Sequence, residues 1–148
     1  MSTRARIGIM NANGSISSIY THNDGYPSHH APILLGHYNT PDKIRELLHL
    51  GNLSSLGKEI GQAHAFEDHS QPNWCTAYRR DRDEAGTSAQ RSANHNALYA
   101  IAHDCDANYL YLFSQPEGGL AAKWYVCKLP AELHHNHDWA DLTLTTKD

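Results

Sequence analysis

The chain has 148 residues and a mass of 16.5 kDa, close to the usual size of one domain and long enough to bury about two thirds of its unfolded surface. With 40% hydrophobic, 9% aromatic and 19% charged residues, it is neither a disordered segment nor a coiled coil. Twelve Lys plus Arg against sixteen Asp plus Glu give a net charge of −4, which excludes an extended basic face for coating duplex nucleic acid but leaves room for a local basic pocket.

Arg4 to Met10 and Ser15 to His22 alternate in the manner of strands, and the intervening Asn11-Ala12-Asn13-Gly14 tolerates the positive φ of a tight hairpin, so the two runs are expected to pair directly. Asn23-Asp24-Gly25-Tyr26-Pro27 is dense in turn formers and should carry the chain off the sheet. Ser28 is placed to N-cap a helix running to about Tyr38. Thr40 and Pro41 open a second helix to about Leu50, with Ile44, Leu47 and Leu48 on one face and Gly51-Asn52 as its stop. Leu53, Leu56 and Ile60 have helical spacing interrupted by Gly57 and Gly61, which predicts a short turn of helix.

Trp74 to about Arg80 reads as a strand with Trp74, Thr76 and Tyr78 on one side, followed by a charged loop from Arg79 to Gly86. From Ser88 to Asp104, Ala97, Leu98, Ile101 and Ala102 form the apolar stripe of an amphipathic helix. Asn108 to Phe113 is apolar on both faces and reads as a central strand. The turn formers Pro116-Glu117-Gly118-Gly119 lead into a last strand, Lys123 to Leu129. The expectation is a single α+β domain over residues 1–129, in the order ββ-αα-β-α-ββ, with a mainly antiparallel sheet and helices mostly on one face. Residues 130–148 are expected to form a polar, His-rich tail. A strong terminal strand offers an exposed edge, which predicts a homodimer. No apolar run approaches the roughly 18 residues of a membrane span, and the polar start leads into no signal-peptide core, so no membrane partner is expected.

Several stretches are similar to one family. Ser2-Thr3-Arg4 with Ile7-Gly8-Ile9, Ile19-Tyr20 with His22-Asn23-Asp24-Gly25-Tyr26-Pro27, Leu53-Ser54-Ser55-Leu56-Gly57, and Trp74-Cys75-Thr76-Ala77-Tyr78 with Arg80-Asp81-Arg82 resemble a family of small, uncharacterised proteins encoded by bacteriophages and mobile elements. Leu34 to Tyr38, Asp42 to Leu47 and Tyr109 to Phe113 extend the resemblance over about residues 2–128. The chain departs from the pattern at Arg79, where a smaller residue is usual, and in its tail. The resemblance implies a phage accessory protein made in the host cytoplasm, of a kind that often antagonises host defence by sequestering nucleotide signals.

Ligand-type residues fall in three places. Thr3 and Arg4, after Ser2, set hydroxyls and a guanidinium at the start of the first strand, a common way to hold a phosphate, although an exposed strand end has the same composition. His22, Asp24 and Tyr26 read either as a turn, as a ligand-binding group, or as an imidazole oriented by a carboxylate for acid–base work. Trp74, Thr76 and Tyr78 lead into Arg80 and Arg82, so aromatic faces stand beside guanidinium groups as a base and its phosphate require. Asp81, Asp83 and Glu84 also fit a self-paired surface loop there.

Twelve histidines include His134, His135 and His137, a cluster that would take up adventitious Zn or Ni, but no HExxH, Cys/His finger or carboxylate-rich pair marks a functional metal. The three cysteines, Cys75, Cys105 and Cys127, indicate neither a disulfide framework nor an activated nucleophile. The leading expectation is a non-catalytic binder of a small anionic, nucleotide-like ligand, with no cofactor. Two alternatives stay open: a hydrolase of a phosphodiester or glycosidic bond using His22 and Asp24, and an inhibitor of a host protein with Trp74, Trp124 and Trp139 as interface anchors.

Overall fold

In a computed structural model, residues 2–114, 121–129 and 137–148 are described. The hairpin expected at the N-terminus forms: β1 (Ala5–Met10) pairs antiparallel with β2 (Ile16–Thr21), from Ala5 opposite Thr21 to Met10 opposite Ile16. Asn11 N–H donates to Ser15 O (2.7 Å) across the turn, and Gly14 takes φ +85°.

Helix α1 (Pro27–His37) starts at Pro27, whose missing N–H costs nothing in a first turn. Ser28 therefore sits inside the helix and is not its cap: its N–H and Oγ donate to the carboxylate of Asp148, at 2.7 and 2.8 Å. Helix α2 (Pro41–His49) forms as expected, with the Thr40 hydroxyl accepting from Lys43 N–H and Ile44, Leu47 and Leu48 buried. Gly51 follows at φ +79°, and a Cβ there would lie 2.3 Å from Thr87 O, so no other residue fits.

The expected helical turn at 53–60 is instead β3 (Leu53–Ser55), which pairs parallel with β2 and antiparallel with β4 (Thr76–Ala77). Gly57 explains why the chain stays extended: a Cβ would lie 2.4 Å from Asn73 O, so this backbone packs directly on the returning chain.

The strand expected over Trp74 to Arg80 is correspondingly short. Tyr78–Arg82 forms helix α3, whose Asp81 carboxylate reaches back to accept from Ala77 N–H at 2.8 Å, and Asp83 ends it at φ +52°. Likewise, the helix expected from Ser88 splits into β5 (Gln90–Ser92), paired with β2, and α4 (His95–Asp104), capped by the Asn94 side chain.

The last strands are β6 (Tyr109–Ser114), β7 (Lys123–Lys128) and β8 (Trp139–Asp141). β6 lies parallel to β1 and antiparallel to β7, giving a mixed sheet in the order β4-β3-β2-β1-β6-β7-β8, with β5 also on β2. The fold is α+β. Strand alternation fills both faces: Ala5, Ile7, Ile9, Tyr111 and Trp124 pack with α1 and α2, while Ile16, Leu110, Leu112 and Cys127 pack with α4. Two long helices thus share one face, and the third covers part of the other.

The tail after Pro130 does not remain apart from the domain in its described portion. β8 pairs with β7 at Tyr125, Val126 and Cys127, and Leu142 enters the core. That pairing occupies the β7 edge on which the expected dimer was based. No helix among the described residues is long and apolar enough to cross a membrane.

Candidate functional site

The α4-side face of the sheet is where charge accumulates. Alternation along β1 sends Ala5, Ile7 and Ile9 into the α1/α2 core, so Arg4 and Arg6 project to the opposite side. On β2 the residues sharing that side are Ser18 and Tyr20, followed by His22. Helix α4 ends at Asp104, and Cys105 follows it beside Arg6.

Arg6 is 2% exposed. Its Nε donates to Ser18 Oγ (3.0 Å) and its Nη2 to Ser18 O (3.1 Å), while Nη1 lies 4.0 Å from Cys105 Sγ. Among the described residues no carboxylate comes within ion-pairing distance of it, and burial pulls its pKa down from the usual arginine value. Arg4 stands nearer the surface, paired at 3.3 Å with the exposed Asp106, a contact of small energetic weight.

Tyr20 Oη lies 2.7 Å from His22 Nδ1. Burial raises the Tyr20 pKa, so the phenol keeps its proton at neutral pH. When the phenol donates to Nδ1, the neutral imidazole carries its own N–H on Nε2. The strip continues to Tyr78, whose N–H donates to Asn52 O (3.2 Å) while the Asn52 side chain accepts from Tyr20 N–H (2.9 Å). Burial raises this phenol's pKa too, and the Arg4 charge reaches both Tyr20 and Tyr78.

Three of the expected residues, Arg4, His22 and Tyr78, therefore meet on one face. Of the others, Arg82 lies over the Tyr78 ring, and the rest do not join them. Thr3 lines a separate groove of about 400 Å³ with Ser2, Asn108, Tyr109 and Lys128. Asp24 does not orient His22: it accepts from Tyr26 Oη at 3.0 Å and takes φ +56°, the geometry of a turn residue.

Arg80 is an anchor inside the fold. Its guanidinium grips the buried Asp81 carboxylate (2.9 and 3.1 Å) and donates to Ile60 O and Cys75 O, both at 2.8 Å, which takes up four hydrogen-bond contacts. Burial would raise the Asp81 pKa, but hydrogen bonds from Arg80, Ala77 N–H and His64 N–H outweigh it and hold the carboxyl below its usual value. Thr76 is buried with His64 Nε2 3.3 Å from its hydroxyl, and Trp74 packs over Gly61 and near the His64 ring. Arg82 lies over the rings of Phe66 (4.5 Å) and Tyr78 (4.9 Å) and pairs with Glu84.

None of the three tryptophans is an exposed anchor. Trp124 is buried and donates to Tyr38 O, Trp139 donates to Tyr99 Oη at 2.7 Å, and Trp74 is half-buried. Cys75 is buried beneath Gly57 N–H, and burial raises its pKa as it does that of Cys127, to about 11. No group of three or more His, Cys, Asp or Glu able to hold a metal occurs among the described residues. His134 and His135 lie outside them, and His137 stacks on Tyr99 with ring centroids 3.6 Å apart.

Sequence reasoning missed Arg6, Tyr20 and Phe66. The signal for Arg6 was present: a cation two residues after Arg4 in a strand whose alternate positions are apolar must share Arg4's face. No protein-family model matches the chain, and no curated protein or solved structure matches it.

Proposed function

We propose that the protein binds a small anionic, nucleotide-like ligand on the uncovered part of the α4-side sheet face, and holds it without turning it over. One observation carries the reading: Arg6 is a buried guanidinium whose partners among the described residues are all neutral. Taking a charge out of water costs several kcal/mol unless an anion compensates, and an apolar residue would fill a purely structural position better. Beneath the surface Arg6 acts through its field, in a low dielectric. Arg4 and His22 Nε2–H supply the contacts above it, with Tyr20 Oη fixing the imidazole tautomer.

A phage-encoded binder of this kind, working in the host cytoplasm, would withdraw a nucleotide signal from a defence system. The hydrolase alternative loses its motivating pair, because Asp24 is bonded to Tyr26 and His22 to Tyr20. The test is isothermal titration of the wild type and Arg4→Gln with inorganic phosphate, ribose 5-phosphate and AMP. Binding by the wild type and a loss of roughly 10- to 150-fold in the variant are expected. Absence of binding to all three overturns the reading.

A further inference from the structure

The loop from Gly57 to Cys75 is held tightly at its base and loosely at its tip. At the base Glu59 N–H donates to Asn73 O and Cys75 N–H to Glu59 O, both at 2.9 Å, and Arg80 and Asp81 bind Ile60 O and His64 N–H. Past Ala65 the backbone bonds are local: Asp68 N–H to Ala65 O, Ser70 N–H to the Asp68 carboxylate and Trp74 N–H to Gln71 O. From Ala65 to Asn73 every residue is exposed except Phe66. Its ring stacks on Tyr78, with centroids 5.5 Å apart and planes at 29°, and the Arg82 guanidinium covers both rings.

A flat ring stacked on a tyrosine, with one guanidinium against both rings, is an environment that proteins offer a nucleobase. Tyr78 N–H donates to Asn52 O (3.2 Å) and the Asn52 side chain accepts from Tyr20 N–H (2.9 Å), so this cradle adjoins the proposed anion site. We propose that Phe66 is an internal stand-in for the planar base of the ligand: the base displaces Phe66 from Tyr78 and Arg82 while the phosphate rests at Arg4. The proposal rests on the anion-site reading and adds the ligand's class, a nucleoside phosphate in preference to a bare sugar phosphate. Displacement disturbs little else, because among the described residues the backbone of the loop tip makes only local hydrogen bonds.

The experiment compares AMP with ribose 5-phosphate, which lacks the base, by calorimetric titration of the wild type, Phe66→Ala, Tyr78→Ala and Tyr78→Phe, with thermal melts confirming that each variant is folded. The wild type should prefer AMP by about 5- to 150-fold. Phe66→Ala should tighten AMP by roughly 2- to 12-fold, the competing stack being gone, and leave ribose 5-phosphate unchanged. Tyr78→Ala should erase the preference for AMP and Tyr78→Phe should retain it. Equal wild-type affinity for the two compounds overturns this proposal while leaving the anion site standing. So does a Phe66→Ala variant whose AMP affinity falls or does not change. Failure of AMP, ribose 5-phosphate and inorganic phosphate alike to bind the wild type overturns the anion site and this proposal with it.

Discussion

His30 gives the chain a calculable sensitivity to acid. Its side chain is fully buried in α1, stacked on Tyr111 (5.0 Å) and beside the His29 ring (5.6 Å), and among the described residues neither ring nitrogen has a hydrogen-bond partner. Burial pulls its pKa down from 6.5 to about 3, with the His29 charge a smaller contribution in the same direction. Above pH 6.5 the ring is neutral in both folded and unfolded chains and contributes no pH dependence. Below 6.5 the unfolded chain takes up a proton that the folded chain refuses, so stability falls by about 1.4 kcal/mol per pH unit. Carried down to pH 3 the loss is roughly 5 kcal/mol, a large part of the 5–15 kcal/mol that holds a domain of this size together.

The variant to compare is His30→Phe, which keeps a ring against Tyr111 and removes the titration. Urea unfolding of both proteins from pH 7.5 to 4.5 isolates this residue from the other histidines. The stability of the variant relative to the wild type should rise by about 2.3 kcal/mol between pH 6.5 and 4.5. A difference that stays flat over that interval would refute the burial argument.

Arg80→Ala should destabilise the fold by roughly 3–5 kcal/mol, because it strands the buried Asp81 carboxylate, and should barely change affinity for AMP; urea melts and calorimetry on one preparation separate the two effects. Asp148→Ala removes the carboxylate bound to Ser28 at the start of α1 and should cost about 0.5–2 kcal/mol, read as a lower thermal midpoint. Under native conditions an aromatic disulfide reagent should titrate one fast thiol, the half-buried Cys105, and two slow ones, Cys75 and Cys127. Light scattering reads the oligomeric state: the homodimer expected from a free β7 edge now requires a different surface, and a particle of 16.5 kDa would reject it.

The long elements were legible because each carries its own periodicity. β1, β2, α2, β6 and β7 occupy the residues their patterns predicted. Short elements escaped because their causes lie far along the chain. Leu53–Ser55 is a strand because β2 and β4 flank it, and Tyr78 turns into helix because Asp81 bonds back to Ala77. The same distinction runs through the site. Arg4, His22 and Tyr78 were recognisable by residue type, and alternation brings Arg4 and His22 to one face. Arg80 looked equally suited to a phosphate, yet its partners include the backbone carbonyls of Ile60 and Cys75, which no side-chain pattern reveals.

The position of β1 has a kinetic consequence. It lies between β2, its neighbour in sequence, and β6, whose Tyr109 pairs with Ala5 across 104 positions of chain. At a synthesis rate of about 5–20 residues per second, β1 leaves the ribosome roughly 5–20 s before β6 does. During that interval β1 has an open edge and an apolar face carrying Ile7 and Ile9, a template for mispairing with another nascent chain. Closing so long a loop also makes the β1–β6 pairing a slow step. Folding yield should therefore depend on how well the early hairpin is shielded until its distant partner arrives.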